Sequence, residues 1–132
     1  MAPRIDIELD KSDWDDPRFE RYYLAGSTVR GKVVVTASEP LDARAVRVAA
    51  GWHTEGRGDR DEGMVASTTL HQGSIMGRQE FPFELKLPED GPVTYEGHYI
   101  RIVWSVIAVI DLARKKDPQA EQVFFVMPAP VL

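Results

Sequence analysis

The run from Glu96 to Ala113, EGHYIRIVWSVIAVIDLA, constrains the fold more than any other stretch of this sequence. It is interrupted by Arg101 and Asp111 and is too short to span a membrane, yet it is long for a strand. Taken with a period of two, it has one unbroken apolar face, formed by Ile100, Ile102, Trp104, Val106, Ala108, Ile110 and Leu112. Its β-branched residues favour a strand, because they lose side-chain freedom in a helical turn. We therefore predict a long central strand, with a buried helix as the competing interpretation.

The opposite face of this predicted strand is apolar where a solvated face would be polar, at Val103, Ile107 and Val109. The last predicted strand, Ala120–Met127, is apolar on both faces, with Val123, Phe125 and Met127 on one and Phe124 and Val126 on the other. Such surfaces require a second cover, which another chain can supply. Trp14, in an acidic loop, either covers an edge of the core or faces a partner. The candidate protein-interaction residues are Trp14, Val103, Ile107, Val109, Val123 and Phe125.

Short apolar runs separated by turn residues continue through the rest of the chain, which contains nine prolines and ten glycines. Their alternation predicts further strands at Arg4–Asp10, Ser27–Ser38, Leu41–Thr54, Met64–Leu70 and Gln79–Leu87. Because the connection between Ser27–Ser38 and Leu41–Thr54 is only Glu39-Pro40, we expect these two strands to form a hairpin. We expect an exposed loop at Glu55–Gly63 and a turn region at His71–Arg78.

Seven or eight strands without a convincing helix predict an all-β fold, an antiparallel immunoglobulin-like β-sandwich. A chain of 132 residues can sustain one core without metal or disulfide, so we expect a single domain over residues 1–132. Gly31, inside a predicted strand, indicates a bulge or the close approach of another backbone or a large ring. Two packed sheets would share an aromatic interior, for which we predict Trp52, Phe81, Phe83, Trp104 and Phe125.

Composition restricts the function. The net charge of -5 and pI near 5.2 argue against sequence-independent binding to nucleic acid, which needs an excess of Lys and Arg. The absence of cysteine leaves no disulfide, thiol nucleophile or thiolate metal site. No stretch has the pattern of a signal peptide or a membrane span. We expect a soluble cytoplasmic protein that does not bind nucleic acid and has no membrane span.

No pattern of catalytic or metal-ligating residues emerges. The acidic segment Asp59–Gly63 resembles the start of a calcium loop, but Leu70 stands where the bidentate Glu of an EF-hand would be. The three histidines, His53, His71 and His98, are too far apart for a local zinc motif. Ser105 lacks the flanking glycines of a nucleophile elbow. We therefore expect no enzyme activity, no metal ligands and no cofactor.

Three groups of motifs carry a resemblance to a known family. The first is Gly26-x-x-Val29-x-Gly31-x-Val33, and the second is Leu41-x-Ala43-Arg44-x-Val46-Arg47-Val48. The third, and the most specific, is Phe81-Pro82-Phe83 followed by Leu87-Pro88 and Pro92-x-Thr94-Tyr95-x-Gly97. These motifs resemble those of the arrestin-like superfamily: the chain is similar to the single N-terminal sandwich of arrestin-domain proteins and bacterial sporulation-control proteins, whereas a full arrestin has two sandwiches. The resemblance implies a non-enzymatic adaptor fold and does not identify a partner.

Two functional hypotheses remain open. The first is a protein-binding adaptor or scaffold that also self-associates into a homo-oligomer, through an exposed sheet face or by adding a partner strand to a sheet edge. The candidate edges are Ile5–Leu9 and Val123–Met127. The alternative is a β-sandwich that binds a small ligand, a carbohydrate or a metal through residues 53–63, with Trp14 and His53 close to the ligand.

Overall fold

The computed structural model describes residues 3–10, 21–113 and 116–128, and these ranges contain strands and connections but no helix. The seven strands are β1 (Arg4–Leu9), β2 (Tyr22–Leu24), β3 (Thr28–Gly56), β4 (Glu62–Lys86), β5 (Tyr95–Glu96), β6 (Ile100–Leu112) and β7 (Gln119–Met127). The all-β prediction is confirmed, and so is the long central strand, which is β6.

Strands β3 and β4 are much longer than the sequence patterns predict. β3 is 29 residues long and pairs with the 25 residues of β4, so the predicted hairpin between Ser27–Ser38 and Leu41–Thr54 is wrong. Shifts in register between Ala37 and Leu41, and at three later points, interrupt the ladder where the two strands bend. Glu39 and Pro40 fall in the first of these irregularities, where a missing amide donor is tolerated.

The predicted turn region at His71–Arg78 is also wrong, because it forms the middle of β4. Gly73 and Gly77 have φ angles of 116° and 71°, a conformation that favours glycine, and they supply local irregularity inside the strand. The actual hairpin connection is the segment between β3 and β4, within the exposed loop predicted at Glu55–Gly63.

The hydrogen-bonded strands curl into two packed layers. The first layer contains β1, the N-terminal part of β3 and the C-terminal part of β4. The second contains the other parts of β3 and β4, followed by β6, β7 and β2, with β5 beside the start of β6. β2 runs parallel to β7, so the sheet is mostly rather than wholly antiparallel. The short β2 is an addition to the predicted strands.

The core lies between the layers and confirms the predicted inner face of β6. Trp104, Val106 and Ile110 are buried, and the Trp104 ring nitrogen donates a hydrogen bond to the Pro92 carbonyl oxygen at 3.0 Å. Phe83 is buried as expected, while Trp52 and Phe81 are partly buried against the core.

Phe125 is not part of this core, contrary to the prediction. Its neighbour Phe124 is completely buried, because Trp104 pairs with Phe124 and both side chains point inward. Phe125 therefore points to the other side of β7, where it is partly buried.

Gly31 confirms the expected close approach. A Cβ atom there would collide with the Glu8 carbonyl oxygen and lie 3.1 Å from the Phe83 ring. Gly31 therefore lets both β1 and the Phe83 ring approach β3 closely.

Candidate protein-binding surface

Five of the six predicted interaction residues lie on one surface, the solvent-facing side of the second layer, which we call the outer face. Val103, Ile107 and Val109 alternate along β6, and Val123 lies on β7 opposite Ser105. Continuing this register places Phe125 beside Val103. Ile107 and Val123 are 37% and 38% exposed. The sixth candidate, Trp14, lies outside the described residues.

An aromatic pair closes one side of the outer face. Tyr22 and Phe125 are register partners in the parallel β2–β7 pair, and their rings stack with centroids 4.6 Å apart. Sequence reasoning missed Tyr22, because a strand of three residues gives no periodicity to detect.

The middle of the outer face contains a notch of about 330 Å³. Ala49, Gly51 and Ser105 line it with small side chains, and Met64, which is 73% exposed, forms part of its wall. Gly51 is required by the fold, because a Cβ atom there would lie 2.7 Å from the Gly63 carbonyl oxygen. The notch thus arises where β4 approaches β3 too closely for a side chain.

Charged side chains border the outer face at both ends of the part of β3 that belongs to the second layer. At one end, Asp111 is only 17% exposed and accepts hydrogen bonds from Arg44 at 2.8 and 3.2 Å, with Arg47 3.4 Å away. Glu121, the register partner of Ile107 on β7, lies on the same end, so the two arginines are balanced by two carboxylates.

The opposite end is acidic. Glu55 contacts His53 at 2.8 Å and Arg101 at 3.4 Å, and Arg101 also contacts Glu96. The hydrogen bond with His53 holds the pKa of Glu55 below its usual value, and the positive charge of Arg101 acts in the same direction. Glu55 is therefore ionised at neutral pH. Arg47 was not predicted as a site residue, and Glu55 was predicted only as part of the alternative ligand-binding region 53–63, because only the pairing register shows that the two share a face.

The outer face does not assemble a catalytic or metal centre from its described residues. Ser105 and His53 both line the notch, but the structure shows no hydrogen bond between them. Within residues 3–10, 21–113 and 116–128, no group of three His, Cys, Asp or Glu side chains is placed to hold a metal ion. The buried Nε2 atom of His71 has no hydrogen-bond partner, and its ring packs against Phe81 instead.

The predicted sheet edges have different outcomes. β1 pairs with β3 on one side and has no second partner strand within the described part of the chain. The prediction that Val123–Met127 is an open edge is wrong, because β2 pairs with Phe125–Met127. Beside that pair, the Gln122 side chain donates a hydrogen bond to the Val123 carbonyl oxygen. β1 is thus the better candidate for strand addition.

The outer side of the first layer is strongly polar. Lys32 lies between Glu80, at 3.0 Å, and Glu8, at 3.4 Å. The hydrogen bond with Glu80 raises the pKa of Lys32, and the same contact lowers the pKa of Glu80. This side lacks the apolar character of the outer face of the second layer.

No helix in the part of the chain that the structure describes has the length and hydropathy needed to traverse a bilayer.

Known proteins resemble this chain in both sequence and structure. The sequence is 31% identical over 122 residues to arrestin domain-containing protein 1 of Homo sapiens, and 29% identical over 116 residues to the Rattus norvegicus protein. Each alignment covers 80% of this chain but 27% of the relative, so the chain spans about a quarter of the length of these relatives.

The structural comparison supports the fold. The crystal structure of Spo0M, a sporulation control protein from Bacillus subtilis, matches with a TM-score of 0.74 and 22% sequence identity. The match covers 98% of this chain and 51% of the Spo0M chain. At this identity the similarity establishes an arrestin-like β-sandwich fold.

The family assignment comes from the sequence itself. The description of the matching family is "Arrestin (or S-antigen), N-terminal domain", and the match extends over residues 59–130. Domains of this family generally act as adaptors or scaffolds that bind protein partners. Since the match includes more than half of the 132 residues, this chain belongs to the arrestin N-terminal domain family.

Proposed function

We propose that this chain is a non-enzymatic adaptor module that binds other proteins, copies of itself included, through the outer face of its second layer. The observation that carries the proposal is the grouping of Val103, Ile107, Val109, Val123 and Phe125 on this one surface. Apolar side chains on adjacent strands form a continuous patch, and such patches mark interaction surfaces. In this proposal the module works as one domain in the reducing cytoplasm, where its lack of cysteine is no disadvantage.

The open edge of β1 offers a second route to protein partners. An extended peptide can add to such an edge, where main-chain hydrogen bonds provide affinity and alternate side chains provide selectivity. Arg4, Asp6 and Glu8 alternate along β1 itself and would distinguish peptides by their charge. The outer face and the β1 edge lie on different layers, so they can be tested independently.

The decisive experiment replaces Ile107 with Lys. The side chain is 37% exposed, so the charge can reach water in the free protein and would have to be buried in a complex. We expect Ile107→Lys to abolish self-association in light scattering across micromolar concentrations while leaving the melting temperature nearly unchanged. Met76→Lys is the matched control, since Met76 is 58% exposed and is not among the residues of the outer face.

A strict monomer for the wild-type chain would remove the self-association part of the proposal. Wild-type oligomers that persist in Ile107→Lys would place the contact elsewhere. Binding of protein partners from the native host, captured by the wild type and lost in Ile107→Lys, would support the adaptor role of this face.

The notch favours a second candidate function, the binding of a small ligand. It is lined by Trp52, His53, Arg60 and Glu62, within or beside the predicted region 53–63, and therefore combines an aromatic ring with polar groups of both charges. A thermal-shift screen against sugars and divalent metals tests this function, because a ligand that binds the native state alone raises its melting temperature. Stabilisation that disappears in a His53→Ala variant would assign the ligand to the notch.

A further inference from the structure

The outer face of β3 has a charge pattern that reverses about Gly51. Arg47 lies four residues before Gly51 and Glu55 lies four residues after it, and both side chains share its side of the strand. Ala49 and His53 occupy the positions between. A strand with opposite charges at equal distances from its centre is complementary to a second copy of itself in the reverse direction.

The pattern on β6 is centred on the residue beside Gly51. Gly51 pairs with Ser105, and the β3–β6 register has no irregularity from Ala45 to Gly56. Val103 and Ile107 lie two residues on either side of Ser105. Two apolar side chains thus flank the centre of β6 symmetrically.

The row through this centre extends across four strands. Met64 on β4 pairs with Gly51, and Val123 on β7 pairs with Ser105. From β4 to β7 the row is therefore Met64, Gly51, Ser105 and Val123.

We infer that two copies of this chain pack outer face against outer face, about a two-fold axis that follows this row, with their β3 strands antiparallel. The inference rests on the proposed function, and it adds the partner, the orientation and the register. The axis places Arg47 over the partner's Glu55 and Ile107 over the partner's Val103. Each residue of the row lies opposite its own copy.

The notch gives this arrangement room. Opposed sheets pack about 10 Å apart when both contribute full side chains. Here Gly51 and Ser105 on the axis are small, and so is Ala49 beside them, so the two faces can approach along this row until Ile107 meets the partner's Val103. The same depression that the fold creates at Gly51 becomes the centre of the contact.

Charge decides between the two possible orientations. One end of the face contains Arg44 and Arg47 with Asp111, and the other contains Glu55 and Glu96 with Arg101. Glu121, the register partner of Ile107, also lies on the first end, which therefore balances two positive against two negative groups, whereas the second end has one more negative than positive group. Antiparallel packing opposes the acidic end to the end that contains Arg47, whereas packing in the same direction would place the two acidic ends together. The rim charges therefore fix the orientation more than the affinity.

The size of the surface sets the expected strength. Eight residue steps of about 3.3 Å and four strands of about 4.8 Å give a face of roughly 500 Å² per copy. The total is about 1,000 Å², which is at the lower limit for a specific interface, so we expect a dissociation constant in roughly the micromolar range.

Cysteine cross-linking tests the axis, because the full chain contains no cysteine of its own. Val123→Cys lies on the axis, so its two copies should meet across the interface and form a disulfide-linked dimer under mild oxidation. Met76→Cys is the control, since it is well exposed but is not part of the row. We expect cross-linking of Val123→Cys to be about tenfold faster than that of the control at the same protein concentration, consistent with proximity at the interface.

A charge exchange tests the orientation. Arg47→Glu and Glu55→Arg should each weaken self-association by about tenfold, because each places two like charges opposite one another. The variant with both changes restores opposite charges at each contact, and we expect its dissociation constant to return to within about threefold of the wild type. Circular dichroism melting curves confirm that the three variants remain folded.

The outcomes separate this inference from the function on which it rests. Rapid cross-linking of Val123→Cys together with rescue in the double variant supports the antiparallel dimer. A wild-type oligomer without either result overturns the dimer geometry and leaves the proposed self-association standing. A wild-type monomer at all concentrations overturns both.

Discussion

Phe124 and Phe125 are adjacent aromatic residues on opposite sides of β7, and replacing each with Ala tests how this strand is oriented. Phe124 is fully buried, and its ring centroid lies 5.9 Å from that of Trp104 and 5.7 Å from that of Tyr23. Truncation leaves a cavity inside the core, so we expect Phe124→Ala to lower the free energy of unfolding by about 3–5 kcal/mol.

Phe125→Ala should lower the free energy of unfolding much less, because the partly exposed Phe125 ring contributes chiefly the stacking contact with Tyr22. Such pairs contribute about 0.5–1.5 kcal/mol beyond burial, so we expect Phe125→Ala to lower the free energy of unfolding by about 1–2 kcal/mol. No core cavity forms, since the space opens onto the outer face.

Urea unfolding followed by tryptophan fluorescence measures both changes. For an m value of about 1.5 kcal/mol/M, the expected midpoint shifts are about 2–3 M for Phe124→Ala and about 1 M for Phe125→Ala, without a change in m. The protein should be kept at about 0.1 μM or below, so that self-association does not add to the stability. Equal shifts, or a larger shift for Phe125→Ala, would refute the orientation of β7 and with it the composition of the outer face.

Three further changes test the fold. Gly31→Ala should lower the free energy of unfolding by about 1–3 kcal/mol, measured by urea denaturation, because its methyl group meets the Glu8 backbone; an unchanged midpoint would contradict this close approach. Trp104→Phe removes a buried hydrogen bond and should cost about 1–3 kcal/mol in the same assay, whereas a neutral result would show that the bond contributes nothing. Lys32→Met should lower the melting temperature most between pH 4.5 and 10.5. Below this window, the stability that comes from the lowered pKa of Glu80 is lost as its carboxylate is protonated; above it, the stability that comes from the raised pKa of Lys32 is lost as its ammonium group is deprotonated. A difference between wild type and Lys32→Met that stays constant from pH 3 to pH 11 would exclude this contact as its source.

Sequence periodicity predicted β6 well, because one of its faces is continuously apolar and the alternation is a local property. It failed for β7, where both faces are apolar and a pattern of period two cannot select the inner one. The register with β6 makes the selection by placing Phe124 beside Trp104. Val123 and Phe125 share one side of β7 by alternation alone, and the register places that side on the outer face; their role in protein binding stays a prediction.

Local sequence patterns could not predict that β3 and β4 bend and continue from one layer into the other. Glu39 and Pro40 have the composition of a turn, but here the two layers curl around one core and the strand passes through the irregularity. The notch was missed for a related reason. Ala49, Gly51 and Ser105 are ordinary strand residues until pairing places them together.

The passage of β3 and β4 through both layers has a consequence for how the molecule opens. Two sandwich sheets joined by loops can separate or fray one at a time, but here the same two backbones supply hydrogen bonds to both sheets. Amide protons of Val33 and Val48, in different layers, should therefore exchange with deuterium through one shared opening event and report the same free energy. The two layers therefore unfold as one cooperative unit rather than as two separate sheets.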